Sequence, residues 1–169
     1  MVGEKDQIFV SKIKYDGVFS FKDFYKFCYD WLADEIEFTV IEEAKYSEKI
    51  VGNSKNIDVE WNNLKKISDY FRFDAKIEFK ILGLSKVELN QGGAKVSSNK
   101  GSVEVKVKGI LVKDYNGKFE KSATKLMWRS IYEKLIIPHR VEQMENMVAG
   151  KMDEFLGQAK AFLDIEGKK

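Results

Sequence analysis

The chain has 169 residues, 44% of them hydrophobic and 33% charged, with 29 basic and 27 acidic side chains for a net charge of +2. That balance suits one soluble domain spanning residues 1–169, and the near-neutral charge speaks against a dedicated nucleic-acid binder, whose surface carries a clear basic excess. One cysteine excludes an intramolecular disulfide framework, no apolar run of about 18 residues predicts a transmembrane helix, and the charged start Met1–Gln7 lacks a signal core, so a cytoplasmic setting is expected.

Taken in chain order, alternation of Phe9, Ser11, Ile13 and Tyr15 with Val10, Lys12 and Lys14 predicts a first strand over 8–19. A helix follows. Ser20 has the position of an N-cap, Asp23 stands at capping-box spacing, and Phe19 can staple onto Phe24. Phe21, Phe24, Tyr25, Cys28, Trp31, Leu32 and Ile36 form its apolar stripe. Residues 37–46 and 56–62 predict two more strands, with Gly52-Asn53 turning between them. The clearest strand is 71–81, where Phe71, Phe73, Ala75, Ile77, Phe79 and Ile81 share one face and charged residues the other. Alternation of that kind belongs to an antiparallel sheet with one wet face. Val87 and Leu89 begin a short strand that turns at Gly92-Gly93, and Val103, Val105 and Val107 mark the next. A bulge or a change of facing is expected at Gly109, before Ile110-Leu111-Val112, and Asn116-Gly117 predicts a type I′ hairpin that returns through Phe119.

The last third, from Thr124 to Ile165, is helical by pattern. Met127, Trp128, Ile131, Tyr132 and Leu135 make one stripe, opened by Ser122 or Thr124 as N-cap. Pro138, the only proline, predicts a break, a kink or the first turn of a new helix. Beyond it Val141, Met144, Val148, Met152, Phe155, Ala159 and Phe162 make a second stripe. Gly150 and Gly157 lie off that stripe, as tolerated surface glycines, as a second contact surface or as a built-in bend.

The fold class that follows is α+β: a curved antiparallel sheet of about six strands, in the order β-α-β-β-β-β-β-α, packed on a long C-terminal helix. This element order resembles the helix-grip architecture of the START and polyketide-cyclase-like superfamily, although the family's short second helix before strand two is not evident here. The resemblance implies a cavity between sheet and helix and, by analogy of fold alone, cyclase- or hydrolase-like chemistry.

No residue pattern supports such chemistry directly. His139 is the only histidine and Cys28 the only thiol, which leaves no multi-histidine metal site, and Cys28 sits in mid-stripe. The carboxylates Asp34, Glu35, Glu37, Glu42 and Glu43 lack calcium-loop spacing, and Gly92-Gly93 lacks a phosphate-loop context. No catalytic residue, metal site or cofactor is therefore expected. Lys76, Lys80, Lys106, Lys108 and Lys113 are expected on the outer sheet face among acidic neighbours, as a solvated surface.

Aromatic content stands out, at 13%. It is read either as a ring-rich core or as the wall of a pocket. On the pocket reading the protein is a non-enzymatic binding module holding a small hydrophobic ligand, a lipid or aromatic metabolite, between Trp61, Phe73, Phe79, Trp128, Met144, Met152 and Phe155. The alternative is a protein-interaction or assembly module, a homodimer included, that uses the apolar surface from Met127 to Ile137.

Overall fold

The computed structural model describes residues 3–120 and 122–167. The elements run β1 (Glu4–Phe19), α1 (Phe21–Trp31), β2 (Val40–Val51), β3 (Ser54–Lys66), β4 (Phe71–Gln91), β5 (Ala94–Lys113), α2 (Ala123–Ile131) and α3 (Pro138–Glu166). α1 and α2 each end in a wide π-type turn, Leu32–Ile36 and Tyr132–Ile136. Among the described residues five strands form one open, curved, antiparallel sheet in the order β1-β5-β4-β3-β2. The architecture is α+β.

The sheet has five strands where six are expected, because the Val87–Leu89 segment continues β4. Gly83, at φ +65°, absorbs a shift of register between Leu82 and Ser85, and the ladder with β5 runs on to Gln91↔Ala94. The turn at Gly92-Gly93 lies where the sequence puts it, and so does the one at Gly52-Asn53, closed by the pair Val51↔Ser54.

Alternation holds through β4, whose Phe71, Phe73, Ala75, Ile77, Phe79 and Ile81 are buried. The expected irregularity at Gly109 falls instead on the partner strand, between Gln7 and Phe9 of β1. β5 therefore keeps its phase from Val103 to Lys113. Gly109 has a different task. A Cβ there would stand 2.9 Å from both Val148 Cγ1 and Met152 Cγ, so the missing side chain lets α3 lie close on β5.

The predicted hairpin after β5 does not form. Asp114, buried and at φ +53°, accepts hydrogen bonds from the Lys118 and Phe119 amides at 2.9 and 3.1 Å, so these donors serve a compact loop instead of a returning strand. The Tyr115 hydroxyl and the Asn116 amide tie that loop to the carbonyls of Ser68 and Asp69.

Ser20 caps α1 and its side chain accepts from the Asp23 amide, while Phe24, Cys28, Leu32 and Ile36 point into the core. α3 starts anew at Pro138, which occupies the first helical turn where its missing N–H costs nothing. Its Val148, Met152, Phe155, Leu156, Ala159 and Leu163 are buried. Ring contacts of Trp31 with Phe155 and of Phe24 with Phe162 join α1 to α3. No helix among the described residues is long and apolar enough to cross a membrane.

Candidate functional site

α2 is held to the sheet by its polar side. Ser122 caps it, accepting from the Lys125 amide at 3.2 Å. Arg129 reaches inward to Glu120 at 2.9 Å, Asp114 at 3.5 Å and Glu4 at 3.8 Å. Glu133 accepts from the Tyr70 hydroxyl and from Lys113 Nζ, the latter at 3.3 Å. Lys113 also pairs with Asp6 at 2.8 Å. The Tyr132 ring packs against Tyr70 and Phe119. Two cations and five carboxylates thus converge where β1 begins and β5 ends, beside a polar surface cavity of about 560 Å³ lined by Glu4, Lys113, Arg129 and Glu133 among others.

Lys113 corrects an expectation. It is not in the outer row of lysines: its side chain is only 9% exposed and faces inward, in phase with Val103 to Leu111. Burial lowers the affinity of its amine for a proton, but the hydrogen bond with Asp6 and the charges of Glu133, Asp6 and Glu4 outweigh this and raise it. Burial and the hydrogen bond to Glu133 push Tyr70 up. The Arg129 hydrogen bond and the Gly3 amide pull Glu120 down. Each of these shifts fixes the charge that its group already carries at neutral pH. Such a cluster suits an anchor better than proton transfer.

Apart from Arg129, α2 is wet through Ser130 and carries apolar side chains there. Leu126 and Met127 are exposed, Trp128 is 54% exposed, and in the wide turn Leu135 and Ile136 reach 76% and 64%. Of the apolar stripe read from the sequence, Met127, Trp128 and Leu135 are exposed and Ile131 and Tyr132 half-buried, so α2 contributes no buried residue. The physical reason is the anchor: Arg129 and Glu133 find partners at the sheet end, which leaves Leu126, Met127, Trp128, Leu135 and Ile136 outside.

Of the seven residues expected to line a ligand pocket, six are brought together. Trp61, Phe73, Phe79, Met152 and Phe155 are buried in the core between sheet and helices, with the Trp61 and Phe79 rings 4.8 Å apart, and Met144 packs half-buried against that core. Trp128 stands apart on α2. None of the seven lines the cavity at the anchor or a second groove of about 480 Å³, formed by Phe21, Lys22, Tyr25, Glu43 and Tyr46. Burial pushes the Cys28 thiol up, which makes it inert at neutral pH. Among the described residues no group of three or more His, Cys, Asp or Glu side chains is placed to hold a metal.

The anchor residues Glu4, Asp6, Tyr70, Asp114, Glu120, Arg129 and Glu133 have no recognisable spacing in the sequence; only the phase of Lys113 with the buried valines signals it. Comparisons with protein-family models, with curated proteins and with solved structures give no match.

Proposed function

We propose that this protein is a non-enzymatic docking module that attaches to its target through the exposed apolar side of α2 and the turn after it. The observation that carries this reading is the inversion of α2, with Arg129 and Glu133 turned into the protein and Trp128, Leu135 and Ile136 turned out. Exposed apolar residues gathered on one element usually mark a contact surface. The charged anchor holds that surface in one orientation, which lowers the entropy lost on docking.

A second reading keeps the small hydrophobic ligand. It is favoured by the groove of Phe21, Tyr25 and Tyr46, where the Tyr25 hydroxyl accepts from Trp61 Nε1 at 3.1 Å and donates to Glu43. The helix-grip arrangement of sheet and α3, and a cytoplasmic setting, are compatible with either reading.

Binding of the neutral apolar dye Nile red separates the two. On the docking reading, the double variant Met127→Glu/Leu135→Glu remains folded and loses most of the dye signal. An unchanged signal would place the apolar site elsewhere. A small molecule released from the purified protein on denaturation, seen by native mass spectrometry, would favour the ligand reading.

A further inference from the structure

Resting on the docking reading, we infer that the target of the α2 face is an anionic lipid surface. From Ala123 to Val141 the chain carries four basic residues, Lys125, Arg129, Lys134 and Arg140, and one acidic residue, Glu133. Arg129 and Glu133 are spent in the anchor. The charges of this segment left outside the anchor are all positive: Lys125, Lys134 and Arg140 are exposed and have no ion-pair partner among the described residues. Glu142, exposed in the first turns of α3, is the nearest acidic residue in sequence to follow.

Amphipathic helices that lie in a bilayer interface have this composition, with Trp, Leu and Met or Ile on the apolar side and Lys or Arg beside them. Trp128 is suited to the headgroup boundary, where an apolar ring with one polar N–H is at home. The apolar side chains stand out from the helix and line neither of the two cavities described above. A flat, deformable partner accommodates them without a matching groove. The shallow burial needed also agrees with the length of the element, since α2 and its turn are too short to span a bilayer.

Each basic side chain brought to an anionic surface strengthens binding about five-fold at moderate salt. Three of them predict a preference on the order of 100-fold for anionic over neutral vesicles, falling as salt is added. The test is co-sedimentation of the whole protein with vesicles of phosphatidylcholine alone and of equimolar phosphatidylcholine and phosphatidylglycerol. Binding to the mixed vesicles only, lost in Lys125→Gln/Lys134→Gln/Arg140→Gln and in Leu135→Glu, is the expected result. These residues lie outside the anchor, and circular dichroism checks that the variants fold.

Equal binding to both vesicles, or none to either, overturns the inference. So does a stable dimer that buries Trp128, because the occupant is then a second copy. If vesicles do not bind but Nile red binding still depends on Met127 and Leu135, the lipid target falls and the docking surface stands. If the dye signal ignores those residues, the docking reading itself falls.

Discussion

At the scale of single residues, the anchor under α2 makes stability depend on pH in a direction that can be worked out. Lys113 has a raised proton affinity in the fold, and Tyr70, Tyr25 and Tyr15 are raised by burial first; Tyr46 is pushed up to about 12. In each case the folded state holds its proton more tightly than the unfolded chain. The stabilisation is therefore complete below the ordinary values of 10.0 for tyrosine and 10.5 for lysine, and drains away as pH rises through the folded values. Each group adds a slope of at most about 1.4 kcal/mol per pH unit. Urea unfolding should give a midpoint that is level from pH 7 to about 9 and falls steeply above about 10. Tyr70→Phe removes one titrating group and should flatten that fall. Parallel alkaline curves for the variant and the natural protein would show that the Tyr70–Glu133 contact is not coupled to folding. The contact was not legible in the sequence, because Tyr70 and Glu133 are 63 positions apart. Lys113 was legible in principle. Its parity with Val103, Val105 and Val107 is a period-two signal, obscured by the expectation of a bulge at Gly109 that the structure places in β1.

At the scale of elements, what the sequence revealed and what it hid divide along a physical line. Local chemistry was readable: the Ser20 cap, the Gly52-Asn53 and Gly92-Gly93 turns, the alternation of β4 and the restart of the helix at Pro138 all depend on residues within a few positions of one another. The side of α2 that faces the sheet depends on distant charges, and periodicity shows that a stripe exists without showing which way it points. The failed Asn116-Gly117 hairpin crosses that line, because its cause is local: the carboxylate of Asp114, four and five residues away, takes the Lys118 and Phe119 amides.

Glycines make the distinction measurable. Gly150 and Gly157 have open space around the position of a Cβ, so alanine there should raise stability by about 1 kcal/mol each through helix propensity alone. Gly109 meets Val148 and Met152 at 2.9 Å, and alanine there should lower stability by about 1–3 kcal/mol through overpacking. For a chain of this size 1 kcal/mol moves the thermal midpoint by about 2–4 °C. A stabilising Gly109→Ala would mean that α3 is not pressed against β5 in solution.

At the scale of the whole molecule, the sheet separates two dissimilar ends. Lys113 pairs with Glu4 and Phe71, so the anchor and α2 belong to the end where β1 and β4 begin. β4 and β5 then run away from it for 21 and 20 residues, an extended span of roughly 60 Å. β1 stops pairing at Phe19↔Asn99 and β3 at Lys55↔Leu84, so residues 87–98 form a two-stranded ribbon whose ladder bonds are only to each other. An isolated hairpin is marginal in water, and this one adds little to the core it extends from. Lys86↔Asn99 is a register pair, which a two-residue Asn-Gly turn of type I′ can close. Replacing 87–98 by Asn-Gly should therefore leave the unfolding free energy within about 1 kcal/mol of the natural protein's, as read by urea titration of near-ultraviolet circular dichroism. A docking face fixed at the opposite end should keep its affinity in the same variant. Loss of folding would mean that the ribbon packs back onto the sheet; loss of docking with the fold intact would mean that the ribbon, and not α2 alone, touches the target.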